Sequence, residues 1–228
     1  MTIEILGLAG IQINTTPNGY FIKGNQAYQP FSYAVEGDYS QAAFFLVAGA
    51  IGAPICCTGL NPSSLQGDKR ILEILTLAGA SPTVAGDCVN VSPTSLHGFS
   101  IDGGEIPDLI PILSVLAACC EGKSVFTNIG RLKFKESDRI HSTAALLESL
   151  GVTVAETDDT LTVEGCSRFC GCEIDSYNDH RIAMSAAIAA IRAQGNVTIS
   201  HPDCINKSFP DFYEKYNRLG GNAHVIFM

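Results

Sequence analysis

Positive charge is scarce in this chain. Lys and Arg number 14 against 23 Asp and Glu, so the formal net charge is −9, and charged residues make up only 16% of the 228 positions. Proteins that bind the phosphate backbone of nucleic acids usually present a basic face. The charge balance therefore argues against a nucleic-acid partner, although a local cluster of Arg and Lys could still hold a small anion.

Long hydrophobic runs are also missing, which argues against a membrane span. The longest apolar run, residues 42–57, is interrupted by Gly49, Gly52 and Pro54. It is shorter than the roughly 20 residues that a helix needs to cross a bilayer. Because the sequence shows neither a membrane segment nor a signal peptide, we expect a cytoplasmic protein without a membrane partner.

The nine cysteines follow neither a disulfide nor a zinc pattern. Their number is odd and the chain is longer than disulfide-stapled scaffolds, so we expect reduced thiols that serve as small core residues. Cys166, Cys170 and Cys172 form C-x3-C-x-C, which lacks the paired C-x2-C spacing of structural zinc sites. We interpret these three as strand or turn cysteines and expect no metal site.

A repeat of about 70 residues runs through the chain. Three apolar segments each follow an aspartate, and these aspartates lie 70 and 71 residues apart: Asp38, Asp108 and Asp179. Three amphipathic segments also follow an aspartate, at spacings of 70 and 73 residues: Asp68, Asp138 and Asp211. Two independent landmarks with one period make a chance similarity improbable.

Each copy predicts the same order of elements, α-β-α-β-β. The first helix is apolar nearly all round and so should be buried on every side, whereas the second has a one-sided apolar stripe. The second helix ends at a glycine in each copy: Gly79, Gly151 and Gly220. A hairpin follows, with strands at 152–154 and 161–163 in the second copy. With pseudo-threefold symmetry, three parallel helices would pack inside and the sheets would lie outside.

The two ends of the chain do not fit whole repeats. Residues 1–35 are interpreted as the tail of a preceding domain, which contributes an amphipathic helix and a hairpin. Residues 36–228 form the second domain, with repeats at 38–107, 108–178 and 179–228. The last repeat stops after one hairpin strand, 223–227, which should expose unpaired backbone or borrow a partner from another chain. The sequence thus resembles part of something larger.

The most polar stretch of the chain lies at the start of the second helix of the second copy. The positive end of a helix, together with Lys135 and Arg139, would make an anion site, whereas the simpler interpretation is a solvated charge run with an N-cap. The charged residues of this stretch are Arg131, Lys133, Lys135, Glu136, Asp138 and Arg139.

Equivalent positions in the other copies favour the anion site. His180 and Arg181 stand at one helix start, Lys207 precedes another, and Glu105 with Asp108 precedes a third. If the symmetry is real, these helix starts converge at one end of the domain. A positive island on an acidic chain is then best explained by a multiply anionic substrate.

Six motifs carry a resemblance to a known family. They are GDYSQAAFFL, QGDKR, IPDLIPILSVLAA, LKFKESDRI, YNDHRIAM and NKSFPDF. In this order they resemble the C-terminal half of the 5-enolpyruvylshikimate-3-phosphate synthase family. The resemblance implies an α/β fold, an inside-out α/β barrel of the enolpyruvyl transferase type, built as a pseudo-threefold repeat of βαβαββ-type units with buried helices and outer sheets. It also places a hinge near Val35–Gly37.

The resemblance implies a reaction as well. The family joins shikimate 3-phosphate to phosphoenolpyruvate and releases phosphate, without a cofactor, a metal or a covalent nucleophile. The 5-hydroxyl adds to the enol carbon while the methylene is protonated, and elimination then reverses that protonation. By resemblance, Asp108 contacts the shikimate hydroxyls and accepts the proton, and Glu136 is the second acid/base group.

The remaining positions match substrate-binding residues of the family. Lys135 would lie at the shikimate moiety, and His180 would hydrogen-bond nearby. Arg139, Arg181 and Lys207 would clamp phosphoenolpyruvate, since a guanidinium can bind carboxylate or phosphate through two bonds. From the residues alone, each has another interpretation: Asp108 as an N-cap, Glu136 as a partner of the helix dipole, and Arg181 and Lys207 as surface cations.

The chain departs from the family in two ways. Arg131 replaces an Asn that some members carry four residues before the motif Lys, which leaves its contact with the shikimate moiety open. The groups that the front half of the family supplies to both substrates are not found. We therefore expect half an active site and an inactive isolated chain.

Three rival functions stay open at the level of the sequence. A fragment of the related transferase that acts on UDP-N-acetylglucosamine would share the fold and chemistry. A non-catalytic anion-binding domain would explain half a site. An RNA-processing relative is disfavoured by the net charge of −9 and by the lack of a stripe of alternating aromatic and basic residues.

Overall fold

The computed structural model describes residues 1–226. The helices in this range are α1 (Thr2–Leu8), α2 (Tyr39–Ile51), α3 (Ile71–Leu77), α4 (Ile110–Ala118), α5 (Arg139–Ser149), α6 (His180–Ala189) and α7 (Phe212–Arg218). The strands are β1 (Ile13–Thr16), β2 (Gly19–Ile22), β3 (Ile55–Cys57), β4 (Thr83–Ala85), β5 (Cys88–Val91), β6 (Ser100–Asp102), β7 (Lys123–Thr127), β8 (Val154–Glu156), β9 (Leu161–Glu164), β10 (Phe169–Ile174) and β11 (Ala193–Ile199). Short 3-10 helices cover Gly67–Arg70, Gly130–Phe134, Ala190–Arg192 and Pro202–Lys207.

Helices α2, α4 and α6 form the centre of the core, as predicted. Every residue of α4 and α6 is buried, because these helices are apolar nearly all round. Phe44, Leu113 and Met184 are completely inaccessible to solvent. None of the described helices is long and apolar enough to cross a membrane.

The three central helices run in the same direction. At their beginnings, Arg181 on α6 donates to the side chain of Ser40 on α2 (3.0 Å) and to the Asp108 carbonyl just before α4 (3.3 Å). At the other end, a Cβ on Gly52 would lie 2.9 Å from the Ile191 side chain, so α2 and α6 also finish together. The predicted convergence of the helix starts is therefore present.

The helix caps differ from one copy to the next. Asp38 and Asp179 accept backbone N–H groups of the first turn of α2 and α6. The N-cap of α4 is Leu109, which makes no side-chain cap bond, and Pro111 occupies the first turn. The interpretation of Asp108 as an N-cap is therefore wrong, and its carboxylate is available for other contacts.

The second helix of each copy is amphipathic and ends as predicted. In α5, Ile140, Leu146 and Leu147 are buried against the core. The glycines that close these three helices all have φ in the left-handed region, which a side chain would strain: Gly79 (95°), Gly151 (85°) and Gly220 (99°). The sequence period therefore corresponds to a repeated backbone geometry.

The outer sheets contain two strands that the sequence did not reveal. The predicted hairpin is β8–β9, which joins β7 in a sheet of order β6-β7-β9-β8. Strand β6 pairs parallel with β7, and β10 pairs parallel with β11. Each precedes a buried helix, so the second and third copies begin with a strand, in agreement with the βαβαββ-type unit that the resemblance implies. Strand β6 is only three residues long and β10 has a register shift, so neither shows a clear alternation.

The cysteines correct one expectation. Cys56 and Cys88 are joined as a disulfide that links the β3 and β5 region of the first copy, so the expectation of nine reduced thiols was wrong for this pair. Cys170 and Cys172 lie in β10, and the Cys166 thiol donates to the Arg168 carbonyl at 2.9 Å. These three are strand and turn cysteines, as interpreted from their spacing.

The two terminal segments are held by few contacts. Helix α1 has no buried residue, and the hydrogen bonds found for residues 1–35 all join residues within that segment. Residues 223–226 form no strand, contrary to the predicted strand 223–227, whose last residue lies outside the described residues. The Asn217 amide instead donates to the Ala223 carbonyl and accepts its N–H.

Candidate active site

The predicted site residues come together where the helix starts converge. Asp108 precedes α4, Lys135 and Glu136 lie just before α5, and Lys207 ends a 3-10 helix. Hydrogen bonds and ion pairs divide them into two clusters. The Asp108 cluster is Asp108, Lys135, Arg139, Asp179 and Arg181, and the Glu136 cluster is Glu136, His180 and Lys207.

Three cations share the Asp108 carboxylate. Arg139 Nη1 donates to Oδ1 at 2.8 Å, and Lys135 Nζ lies 3.4 Å from the same oxygen. Arg181 Nη2 donates to Oδ2 at 3.4 Å. Lys135 and Arg139 stand at the start of α5 and Arg181 at the start of α6, so Asp108 joins the second and third copies of the repeat.

Asp179 is the second counter-ion of Arg139. Its Oδ2 accepts Arg139 Nε at 2.7 Å, and its Oδ1 accepts Arg139 Nη2 at 3.3 Å. The Asp179 carboxylate is completely buried, and Arg139 is 3% exposed. Oδ1 also accepts the Arg181 N–H at 2.9 Å and thereby caps α6. A buried, two-bonded ion pair of this kind fixes the orientation of the Arg139 guanidinium.

Arg181 is buried but not fully paired. It is 5% exposed and donates to Ser40 and Asp108, with Nη1 also 3.4 Å from the Ser40 carbonyl. Its Nε is buried and finds no hydrogen-bond acceptor within residues 1–226. An unpaired N–H on a buried cation is costly, and an anion bound beside it would relieve that cost.

Both aspartates of the Asp108 cluster are held in the ionised form. Burial alone would raise the pKa of Asp108, but Arg181, Arg139 and Lys135 outweigh burial and bring the pKa below its ordinary value. For Asp179, burial likewise acts to raise the pKa, and the hydrogen bond and charge of Arg139 lower it further than burial raises it. Two ionised carboxylates therefore offset the buried arginines.

The Glu136 cluster is more exposed and more loosely paired. Glu136 Oε2 lies 2.9 Å from His180 Nδ1 and 3.9 Å from Lys207 Nζ. The side chains of Glu136 and Lys207 are 35% and 43% exposed. Burial lowers the pKa of His180, although Glu136 acts to raise it, so the imidazole is mostly neutral at pH 7. This cluster can exchange protons with solvent.

A strained turn places the residues of the third copy. Tyr177 and Asn178, directly before Asp179, both have φ of 53°, a conformation that non-glycine residues adopt uncommonly. Asp175 Oδ1 stabilises the turn by accepting the Tyr177 N–H at 2.8 Å. The Asn178 carbonyl then accepts Lys207 Nζ at 2.6 Å, which connects the turn to the Glu136 cluster.

The positions of the predicted clamp residues differ from one another. Arg139 and Arg181 both contact Asp108, so their guanidinium groups face one space. Lys207 lies beyond Glu136, and its sharing of an anion with the arginines stays a prediction. Arg131 is exposed and makes no hydrogen bond or ion pair with any residue in the described range.

Sequence reasoning missed the structural role of three residues. Asp179 served as a repeat landmark but not as the counter-ion of Arg139, and Ser40 and Asn178 were not singled out. An acidic residue directly before a His-Arg pair at a helix start was the available signal for Asp179. The other two act through a side-chain hydroxyl and a backbone carbonyl, which leave little trace in a sequence.

One group of donor atoms has the spacing of a metal site. One atom each of Glu136, Asp179 and His180 lies within 4.8 Å of the others. Asp179 already binds Arg139, and Glu136 already binds His180. A metal ion there would have to displace these bonds, so the geometry favours an ion-pair network in which the residues bind protein partners.

Comparison with known proteins identifies the relatives of the chain. The family model of EPSP synthase (3-phosphoshikimate 1-carboxyvinyltransferase) matches residues 1–216. A 3-phosphoshikimate 1-carboxyvinyltransferase of Clostridium acetobutylicum is 46% identical over 225 residues, which cover 98% of this chain and 52% of the relative. A protein of the same name from Clostridium perfringens is 42% identical, covering 97% and 53%.

Solved structures show the same relationship. EPSP synthase from Acinetobacter baumannii superposes with a TM-score of 0.82 at 33% identity, covering 96% of this chain and 54% of that protein. The enolpyruvyl transferase NikO from Streptomyces tendae gives a TM-score of 0.78 at 19% identity, covering 96% and 52%, which indicates a shared fold. The chain spans about half the length of the curated relatives it matches.

Proposed function

This chain belongs to the EPSP synthase family, and from that premise we propose that it supplies the C-terminal part of an active site that transfers the enolpyruvyl group of phosphoenolpyruvate to the 5-hydroxyl of shikimate 3-phosphate. The observation that supports the proposal is the Asp108 carboxylate surrounded by Lys135, Arg139 and Arg181. Three cations on one carboxylate, at converging helix starts, suit substrates that together carry two phosphates and a carboxylate.

The cations have two tasks in this proposal. They attract the anionic substrates, and in the empty site they keep Asp108 ionised. A substrate phosphate or carboxylate that binds Arg139 and Arg181 competes with Asp108 for them. The pKa of Asp108 would then rise toward its ordinary value, and the carboxylate would become a better acceptor for the proton of the 5-hydroxyl. Substrate binding would thereby activate the base.

The Glu136 cluster suits the second proton transfer. As the substrate oxygen bonds to the enol carbon of phosphoenolpyruvate, the methylene carbon gains a proton. In the elimination step that carbon loses a proton, the bond to the phosphate oxygen breaks, and phosphate leaves. Glu136, half-exposed beside His180 and Lys207, can donate and then recover such a proton. His180 would hold the Glu136 carboxyl in place.

The other half of such a site is proposed to lie outside residues 1–228. Because the chain spans about half the length of its relatives, groups that position both substrates would come from a preceding domain. Both parts would lie in the cytoplasm. Loss of alignment can forfeit about 7–11 kcal/mol of the proximity contribution, or roughly five to eight powers of ten in rate. The chain alone should therefore show no measurable turnover.

The test is a phosphate-release assay with both substrates. The 228-residue chain is measured alone and with a separately expressed preceding half from the same source. We expect turnover only in the mixture, and its loss in Glu136→Gln. Turnover by the chain alone would contradict the half-site argument, and a well-folded mixture without turnover would favour the non-catalytic anion-binding domain. Acceptance of UDP-N-acetylglucosamine in place of shikimate 3-phosphate would favour the related transferase.

A further inference from the structure

Asp68 is an acidic residue near the site whose carboxylate has no partner among the described residues. It lies in the 3-10 helix Gly67–Arg70 and is partly buried. Its carboxylate forms no hydrogen bond or ion pair with any of the residues 1–226. By contrast, Asp108, Asp179 and Glu136 each have at least one partner within 2.9 Å. A partly buried carboxylate without a partner needs an explanation, because desolvation of an unpaired charge is costly.

The backbone holds Asp68 against the elements that carry the site. The Gln66 side chain accepts the Tyr39 N–H at 2.9 Å and donates to the Gly37 carbonyl at 2.8 Å, so it ties this segment to the start of α2. On the other side, a Cβ on Gly67 would lie 3.2 Å from the Glu105 carbonyl. This close approach places the 3-10 helix beside the segment that leads into Asp108.

The charges around Asp68 belong mostly to the site. Arg181 and Lys135 favour its ionised form, whereas Asp108 and Asp38 disfavour it. On its own 3-10 helix, Lys69 Nζ donates to the Pro62 carbonyl and Arg70 Nη1 donates to the Asp102 carbonyl. The adjoining elements also carry Glu73 and Glu105, whose side chains are exposed. Arg181 is therefore the main cation that supports a charge on Asp68.

Burial and these surrounding charges together bring the pKa of the Asp68 carboxyl closer to neutral pH. Burial raises the pKa of Asp68 to about 6, with Arg181 opposing the rise and Asp108 adding to it. Arg181 has an unpaired Nε and would bind an incoming anion. Once an anion occupies Arg181, the cation no longer offsets the charge on Asp68, and the anion adds its own repulsion.

We propose that Asp68 is a further residue of the anion site, mostly ionised at neutral pH without an anion and more often protonated, by uptake from solvent, when an anion binds at Arg181. The inference rests on the proposed function, since it assumes that Arg139 and Arg181 receive an anion. It assigns Asp68 a positioning role. The ionised carboxylate offsets part of the positive charge of Arg181, and its protonation removes a negative charge that would repel the substrate.

The test measures protons taken up on binding of inorganic sulfate to the 228-residue chain. Sulfate stays a dianion across the pH range of the titrations, so any proton taken up is bound by the protein. Titration calorimetry at pH 6.5 in two buffers of different ionisation enthalpy gives the number of protons bound per sulfate. A rise of about one unit in the pKa of Asp68 corresponds to roughly half a proton per sulfate at this pH.

Asp68→Asn should lose most of this proton uptake and bind sulfate more tightly at pH 7.5. Asp211→Asn is the matched control, since Asp211 occupies the equivalent repeat position but pairs with Lys215 on the exposed side of α7. Asp68→Ser provides a second variant if the amide does not fold. Sulfate binding without proton uptake, or full uptake in the Asp68 variants, would overturn the inference and leave the proposed function standing. Absence of any sulfate binding would overturn both.

Discussion

The Asp108 cluster and the Glu136 cluster lie side by side but are built differently. Arg139, Arg181 and Asp179 are at least 95% buried, and each contacts at least two other groups. Glu136 and Lys207 are more than one-third exposed, and their mutual distance is 3.9 Å. Three members of the Asp108 cluster are thus buried, although the side chains of Asp108 and Lys135 are each 34% exposed; in the Glu136 cluster only His180 is buried.

This difference separates two tasks of an active site. Buried ion pairs have fixed geometry and strong fields, because the surrounding dielectric is low. Such a cluster can hold an anion in one orientation. Exposed groups exchange protons with solvent and can move, which suits proton transfer to and from a substrate. The proposed reaction needs both kinds of group. The two clusters meet at the start of α6, where Asp179 of the Asp108 cluster directly precedes His180 of the Glu136 cluster.

The largest expected effect comes from a change that breaks the buried ion pair of Asp179 and Arg139. Asp179→Ala leaves Arg139 without its two-bonded partner and α6 without its cap, and we expect the free energy of unfolding to fall by about 3–5 kcal/mol. Asp138→Ala is the matched control, since Asp138 caps α5 from an exposed position, and we expect a loss of about 1 kcal/mol. Urea denaturation measures both. Equal losses would show that Asp179 acts mainly as a cap.

A second change removes the negative charge of Asp108 and keeps the size of its side chain. Asp108→Asn removes the negative charge that Arg139, Arg181 and Lys135 share, so we expect the affinity for sulfate to rise about tenfold. Turnover in the reconstituted enzyme should nevertheless fall. Glu136→Gln should raise sulfate affinity less, because Glu136 pairs with His180 and Lys207 and not with Arg139 or Arg181. Calorimetry at low salt checks the order, and a stronger effect at Glu136 would reverse the assignment of the two clusters.

The smallest expected effect concerns Asp68 and the pH dependence of stability. Its pKa of about 6 lies above the ordinary value of 3.8, so above pH 6 the carboxyl is ionised in both states and opposes folding. As the pH falls from 6 toward 4, the native state takes up the proton first and this penalty disappears. Asp68→Asn should therefore raise the free energy of unfolding at pH 7.5, by at most about 3 kcal/mol, and change it little near pH 4. A pH-independent difference in urea denaturation would argue against a titrating Asp68.

The sequence predicted the repeat and the grouping of the candidate site residues. The spacing of Asp38, Asp108 and Asp179 located the three buried helices, and the family motifs selected seven residues that the structure joins in two adjacent clusters. It failed for strands β6 and β10, because short or bulged strands carry little periodic signal. It also failed for the disulfide of Cys56 and Cys88, because a pairing 32 residues apart has no signature in composition.

The sequence by itself determined the buried helices: apolar segments that repeat at a fixed period are buried on every side, since burial of apolar surface dominates folding. The tertiary structure alone decided the electrostatics. Asp179 pairs with Arg139 across 40 residues of sequence, while Asp68 has no such pair among the described residues, although both aspartates stand at the start of a helical segment. Coulomb energy and desolvation depend on distances through space and on burial, which arise only when the three copies pack together.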